Sequence, residues 1–289
     1  MIRIATRSSL LARAQASQVA GWLGEATLVE VSSGGEPGDK SRFVRGVERA
    51  LIDELADIGV HSAKDLPAEM AAGLAIAAVP RREDARDVWV GPGSCLEDVP
   101  EGARVGTASL RRRAQLLAAR PDLRVEDLHG NVDTRLGKLA SGALDAIVLA
   151  AAGLGRLGRD SEAAFAIPPE TMTPAAGQGA LALQASPDNE EGWRAASRLG
   201  DDSSMRELLA ERAAVAVLEA TCATPIGVHA HLEGEAIYIQ AFVGLPDGSE
   251  WIRDHLEGEA SSPAEAGGLL AERLGAAGAR EILARAEET

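Results

Sequence analysis

Arginines stand at three places in this chain where the backbone least favours a cation. Thr6-Arg7-Ser8-Ser9, Thr107-Ala108-Ser109-Leu110-Arg111-Arg112-Arg113 and Gly130-Asn131-Val132-Asp133-Thr134-Arg135 each follow an apolar, strand-like run and open a helix-like one. A helix N-terminus already carries about half a positive charge and unpaired N–H donors, so acidic residues are favoured there and cations are not. Repetition at three turns points to an anion that offsets the cost, bound between several strand-to-helix turns. The alternative at any one turn is an arginine directed into water.

Two further segments could carry chemistry. His61-Ser62-Ala63-Lys64-Asp65-Leu66-Pro67 follows an apolar strand directly, where open α/β sheets place ligand sites, and offers a cation and a carboxylate side by side. Asp65 could act as a general acid or base or stabilise a cationic intermediate, and a surface turn stopped by Pro67 is the competing reading. Cys222 lies among small residues in Ala220-Thr221-Cys222-Ala223-Thr224-Pro225-Ile226-Gly227, beyond a long helix. Its thiol is either buried and inert or an exposed nucleophile and attachment point. Cys95 lacks such a context and reads as structural. Neither Gly-x-x-x-x-Gly-Lys-Ser/Thr nor a Gly-x-Gly-x-x-Gly after the first strand occurs, so no nucleotide cofactor is indicated. Histidines 61, 129, 229, 231 and 255 show no zinc-like spacing, so no metal site is expected.

The elements that would position these residues alternate. Ile2–Ala5, Leu28–Val31, Ile58–His61 and Leu74–Val79 read as strands, with a helix from Ser9 to Trp22 ended by Gly24. A second helix runs from Phe43 to Ala56, with Val44, Val47, Leu51 and Leu55 on one face. Pro80 to Asp87 reads as a charged linker. Strands then recur at Ala103–Val105, Arg124–Leu128 and Ile147–Ala150, with helices from Ser109 and Val132, giving a second parallel-rich α/β unit. From about Asp201 come a long helix to Leu218, strands around Pro246-Asp247-Gly248 and helices from Ser262, the pattern of a small α+β domain. No usable internal repeat is apparent.

Composition sets the outer bounds. The 289 residues suffice for two or three domains. Residues 1–160 hold 21 basic and 22 acidic side chains, whereas 161–289 hold 8 and 22. Neither half has the basic excess that nucleic-acid binding needs, although the near-neutral half can contain a local basic cleft. Only Lys40, Lys64 and Lys138 are lysines. Two distant cysteines indicate no disulfide framework, no apolar run approaches membrane-spanning length, and the chain begins at once as a strand. A soluble, cytoplasmic protein with no membrane partner is expected.

Taken together, the segments resemble hydroxymethylbilane synthase, the porphobilinogen deaminase family. The matching stretches follow in order along nearly the whole chain: Ile4–Ser9, Ala56–Pro67, Arg82-Glu83-Asp84-Ala85-Arg86-Asp87, Val105–Arg112, Gly130–Leu136, Ala150–Gly158, Pro174-Ala175-Ala176-Gly177-Gln178-Gly179-Ala180 and Cys222-Ala223-Thr224-Pro225-Ile226-Gly227. The resemblance implies two periplasmic-binding-protein-like α/β domains with a cleft between them plus a small α+β C-terminal domain. The implied division is 1–82 with 179–199, 83–178, and 200–289, the first domain regaining a strand from Gly179–Ala185.

It also implies a monomeric transferase of porphyrin (haem) biosynthesis. Four porphobilinogen molecules would be joined head to tail, with loss of ammonia, into the linear tetrapyrrole hydroxymethylbilane. The work would proceed on a dipyrromethane primer held by a thioether to Cys222. Asp65 maps onto the catalytic aspartate, beside the pyrrole N–H groups and the cationic azafulvene. Lys64, Thr107, Ser109, Arg111, Arg112 and Arg135 map onto primer-binding groups, and Arg7, Ser9 and Arg156 onto groups for incoming substrate and growing chain. Each pyrrole brings two carboxylates, which suit arginine forks. His129 stands where the family usually has arginine. The segment before Phe43 is short, with Lys40 in the lysine's place and Arg42 at an apolar position of the family's lid signature. With its chemistry lapsed, the same scaffold would be a tetrapyrrole- or polycarboxylate-binding protein.

Overall fold

The computed structural model describes residues 1–32, 42–220 and 224–288, with the backbone alone at 42 and 43. Lys40 and Cys222 therefore lie outside the described residues, and of Phe43 only the helical backbone is described. No helix among the described residues is long and apolar enough to cross a membrane.

The chain opens with β1 (Ile2–Arg7), α1 (Leu10–Leu23), β2 (Ala26–Val31), α2 (Arg42–Ile52), β3 (Ile58–Ser62), one 3-10 turn (Ala63–Asp65) and β4 (Ala75–Ala78). It crosses to a second lobe built from β5 (Asp87–Val90), β6 (Arg104–Gly106), α3 (Leu110–Ala119), β7 (Arg124–Glu126), α4 (Val132–Ala140), β8 (Ala146–Ala150), α5 (Ala151–Arg156) and β9 (Phe165–Ile167). It then returns through β10 (Leu181–Ala185) and α6 (Glu190–Ser197). A third unit follows: α7 (Asp202–Val217), β11 (Ile226–Glu233), β12 (Ala236–Gly244), β13 (Trp251–Glu259), α8 (Pro263–Ala276) and α9 (Ala279–Glu287).

The strand order is β2-β1-β3-β10-β4 in the first sheet and β7-β6-β8-β5-β9 in the second. In each, the three strands on one side are parallel and the strand that follows a crossing is inserted antiparallel near the other edge. The lobes thus repeat one topology without a sequence repeat, and the sheets are mixed rather than parallel throughout. Each lobe has its own core, with Ile4, Ile58, Val60 and Leu183 in the first and Trp89, Val105, Leu116 and Ile167 in the second. The third sheet is an antiparallel meander packed on α7 and α8.

Three readings need correction. The second helix stops at Ile52 rather than Ala56, because Glu54 takes φ +55°, outside helical space. Val44, Val47 and Leu51 are buried as expected, whereas Leu55 lies beyond the helix and is 57% exposed. The linker ends earlier than read, since Asp87 is the first residue of β5, and β5, α5, β9 and α6 were missed in sequence.

The third unit buttresses the crossings. Glu211 of α7 is fully buried and receives Arg82 through Nη1 at 2.8 Å and Nη2 at 3.1 Å. The same carboxylate accepts from the backbone N–H of Gly177 (2.6 Å) and of Ala230 (2.8 Å). Burial alone would raise the Glu211 pKa, but Arg82, with His229 beside it, brings it below the usual range. Both crossings are thereby tied to one carboxylate of the third unit.

Candidate active site

Strands β1 and β3 run parallel in the first lobe and β6, β7 and β8 in the second, so within each lobe their C-terminal ends share an edge, and the turns that follow carry the side chains singled out in the sequence. The three helix starts are each capped by a side chain. Ser9 Oγ accepts from Ala12 N at 3.3 Å, Ser109 Oγ from Arg112 N at 3.4 Å and Asn131 Oδ1 from Thr134 N at 2.8 Å. Thr107 is buried and its Oγ1 accepts from Ser109 N at 3.2 Å, fixing the turn before α3. Gly24 closes α1 with φ +83°, its N–H donating to Ala20 O.

On the first lobe, the 3-10 turn after β3 presents Lys64 and Asp65. The Asp65 carboxylate lies 3.6 Å from Arg7 Nη2, and both are partly exposed. Lys64 Nζ donates to Gln178 Oε1 at 3.3 Å. Burial, followed by the neighbouring Arg112, pushes Lys64 down to about 8, against the opposing pull of Asp65 and Asp87. His61, just upstream, is buried with Nε2 2.9 Å from Gln184 Oε1. Burial takes it down to about 4, the Gln184 hydrogen bond resisting and Arg7 adding to the effect, so it is a neutral structural histidine.

The second lobe overturns part of the argument from helix termini. Arg111 and Arg112 open α3 with no acidic residue in its first turn, yet the anion that offsets them belongs to the protein. Arg111 Nη1 donates to Asp87 Oδ2 at 2.7 Å, and Arg112 donates to Asp87 Oδ1 through Nε at 2.9 Å and Nη2 at 2.7 Å. Arg111 also donates to Thr173 O at 2.8 Å and Arg112 to Val148 O at 2.9 Å. Both arginines are 5% exposed and Asp87 fully buried. Burial would raise the Asp87 pKa, but the two guanidinium groups outweigh it and hold the carboxyl far below the usual range.

Two cations for one carboxylate leave a net positive charge, and other cations gather near it. Arg135 Nε donates to Gly130 O at 2.9 Å. Burial, with Arg112 close by, pushes Arg135 down to about 10, the mark of a cation held without a nearby acid. Arg156, at the end of α5, reaches back to Gly179 O with Nη2 at 2.7 Å, while its buried Nε has no hydrogen-bond partner among the described residues. Burial lowers its pKa as well. A buried guanidinium N–H left unpaired and a second guanidinium facing like charge suit a ligand carrying several carboxylates.

The structure therefore brings Arg7, Lys64, Asp65, Arg111, Arg112 and Arg135 into one electrostatic neighbourhood, with Arg156 at the crossing. Ser9, Thr107 and Ser109 serve the turns that hold them. His129 is exposed on the loop before α4, and no hydrogen bond or ion pair with another described residue engages it. Sequence reasoning missed Asp87, Gln178 and Arg212. A carboxylate opening the apolar run Val88-Trp89-Val90 was the available signal for Asp87. Arg212 of α7 donates through Nη2 to Pro67 O and Ala68 O, both at 2.8 Å, securing the loop after Asp65 from the third unit. Nothing in its spacing announced that.

Two α/β lobes with a cluster of cations where the chain crosses between them, braced by a third unit, make up the architecture. The chain belongs to the porphobilinogen deaminase family. The family's model for the porphobilinogen deaminase dipyromethane cofactor binding domain matches residues 2–193, and that for its C-terminal domain matches residues 205–276. A porphobilinogen deaminase from Roseiflexus is 46% identical over 248 residues, covering 86% of this chain and 82% of the relative. One from Oceanobacillus iheyensis is 42% identical over 253 residues, covering 87% and 81%. Among solved structures, a substrate-binding domain of a putative amino acid ABC transporter from Streptococcus pneumoniae overlays with a TM-score of 0.43 at 15% identity, covering 68% of this chain and 91% of its own. A periplasmic solute binding protein from Desulfovibrio salexigens gives 0.41 at 11% identity, covering 69% and 72%, a likeness too remote to carry function.

Proposed function

We propose that the chain catalyses the deamination and head-to-tail condensation of four porphobilinogen molecules into hydroxymethylbilane, with a dipyrromethane primer carried covalently on Cys222. Membership of the family, with its dipyrromethane-binding domain matched over residues 2–193, is the observation that carries this reading. The donor set fits the primer: a dipyrromethane bears four carboxylates, and the site offers Lys64 and Arg135 around the Asp87 cluster. Arg111 and Arg112 supply the cluster's residual positive charge from behind, their guanidinium groups being engaged with Asp87. When bound, the primer supplies the pyrrole carbon to which substrate is joined.

The protein's own residues do the rest. Each condensation breaks a carbon–nitrogen bond in the aminomethyl arm of porphobilinogen and releases ammonia, so positive charge develops on the substrate pyrrole. Asp65 is the group placed to stabilise that charge. Arg7, 3.6 Å away, limits where its carboxylate can point, and it is assigned to a substrate carboxylate through the family match. Arg212 keeps the loop beyond Asp65 in place. Ser9 caps α1 beside Arg7, and Arg156 is assigned to the growing chain; Lys40 and Phe43 are assigned to substrate through the family's lid position. His129 is placed toward the primer by its position before Gly130.

The domain division 1–82 with 179–199, 83–178, and 200–289 is supported by the insertion of β10 into the first sheet. A cytoplasmic monomer is the accompanying assignment. Intact mass tests the central claim: purified protein carries the added mass of two pyrrole units, and Cys222→Ser protein folds without it. A Cys222→Ser protein that still carries the dipyrromethane mass refutes the attachment.

A further inference from the structure

Pro174-Ala175-Ala176-Gly177-Gln178-Gly179-Ala180 carries the chain back from the second lobe to the first, and the function above leaves its one polar side chain unused. Gln178 is fully buried. Its Oε1 accepts from Lys64 Nζ at 3.3 Å, and its Nε2 donates to Ala85 O at 2.7 Å and Asp87 Oδ1 at 3.1 Å. Its backbone is also held. The N–H donates to Ala175 O at 2.9 Å, and the carbonyl accepts from Arg82 Nε at 2.9 Å. Gly177 and Gly179 on either side take φ +73° and +88°. A Cβ on Gly177 would run into the backbone of Ala63 and Lys64, and one on Gly179 into Glu83 O. Gln178 is thus wedged between the Lys64 turn and the outgoing crossing.

The amide has one workable orientation. Flipped, its NH2 would face the Lys64 ammonium and its oxygen would face a carbonyl and a carboxylate. In place, it accepts from a cation and donates to an anion through one planar group. Lys64 belongs to the first lobe, whereas Asp87 and its two arginines belong to the second. Among the described residues, the hydrogen bond to Gln178 is the one that Lys64 makes.

We propose that Gln178 is a positioning residue that holds the Lys64 ammonium of the first lobe in register with the Asp87–Arg111–Arg112 cluster of the second, so that the two sides of the cleft present one carboxylate-binding surface. The proposal rests on the reading of Lys64 as a carboxylate-binding group. Lys64 faces Arg112 and Arg111 as repelling cations and Asp65 and Asp87 as attracting anions. The Gln178 oxygen favours its charged form. Removing that oxygen weakens the ammonium against Arg112, and the charge is then lost at a lower pH.

The chain's three lysines make this measurable without turnover. Acylation of the purified protein with an amine-reactive ester across pH, read peptide by peptide by mass spectrometry, gives the titration midpoint of Lys64, with exposed Lys138 of α4 as internal reference. In Gln178→Met the Lys64 midpoint is expected to fall by about one pH unit, the scale of one hydrogen bond to a charged group. In Gln178→Glu the second oxygen replaces the donor to Ala85 O and Asp87 and costs stability, but a full negative charge then faces Lys64, and its midpoint is expected to rise. The alkaline limb of porphobilinogen consumption follows in the same directions, with the Met variant raising KM at pH 8 more than it lowers kcat. If the Met variant does not fold, the upward shift in the Glu variant decides. A Lys64 midpoint that stays in place, or that moves the same way in both variants, overturns the proposal. Failure of the underlying functional reading would appear separately, as absence of the dipyrromethane mass.

Discussion

Asp87→Asn tests whether the second lobe is built around one carboxylate. The substitution keeps shape and an oxygen acceptor but removes the charge from a site where Arg111 and Arg112 are 5% exposed and approach at 2.7 to 2.9 Å. An ion pair with charge centres about 4 Å apart is worth roughly 4 kcal/mol at an effective dielectric constant of about 20. Two such pairs set a ceiling near ~8 kcal/mol, which relaxation and the remaining amide oxygen reduce. Breaking a buried pair from one side typically costs about 3–5 kcal/mol, so a loss of about 4 kcal/mol is expected. Urea unfolding followed by tryptophan fluorescence suits the measurement, because Trp89 is fully buried in the same strand as Asp87. With a slope of about 2 kcal/mol per molar, the midpoint should drop by about 2 M. The pH dependence has a definite sign. Asp87 titrates below its unfolded value, so its contribution is complete above the ordinary carboxylate range and is lost only as pH falls through the depressed folded value. The gap between wild type and variant should therefore be constant from pH 5 to 8 and narrow only in strong acid. Replacing Asp87 by leucine together with Arg111→Met and Arg112→Met should recover stability while abolishing primer retention. A loss below about 1 kcal/mol for Asp87→Asn would mean that the arginines reach solvent readily, and the reasoning fails.

The remaining expectations concern the chemistry. Asp65→Asn should keep the fold and the primer mass while turnover falls about a hundredfold or more, about 3 kcal/mol of lost electrostatic stabilisation, measured as hydroxymethylbilane formed at saturating porphobilinogen; near-normal turnover removes Asp65 from the mechanism. Arg135→Leu should impair holoenzyme assembly if Arg135 meets the primer as proposed, because it deletes a cation paired with no acid among the described residues, and intact mass showing full primer occupancy contradicts that role. His129→Arg should improve primer retention on the alkaline side, since a guanidinium keeps its charge across the working pH range; unchanged occupancy and pH profile identify His129 as a solvent-facing loop residue.

Local signals were legible where the cause is local. Ser9, Ser109 and Asn131 cap their helices and Gly24 ends the first, because short polar side chains and glycine act on the nearest backbone groups. The cleft side of the site was legible for a related reason, since strand ends and helix starts follow from hydrophobic periodicity. Partners distant in sequence were not. Asp87 read as the end of a charged linker, and only the fold brings it to arginines 24 and 25 residues away. Gln178 sat in a stretch of small residues whose spacing gave no hint of a contact 114 residues upstream. That the two lobes share one topology was anticipated only through the family resemblance, because it resides in strand order rather than in shared residues. The inserted strand β10 was anticipated only through the family resemblance, since an apolar pentapeptide does not say which sheet it joins.

That insertion has a consequence for how the protein is made. Strand β10 pairs with β3 on one side and β4 on the other, and its register begins with Leu181 opposite Ser62. On the ribosome, β3 leaves one edge without its partner while more than a hundred further residues are synthesised. At typical elongation rates of 5–20 residues per second, the delay is ~6–24 s. The second sheet waits about half as long, because β5, ending at Val90, meets its first partner in β8 at Ala146 and all the strands lie between Asp87 and Ile167. The order of birth and the order of completion therefore differ: the lobe translated first is finished second, and until then β3 offers a nascent chain an open edge for mispairing.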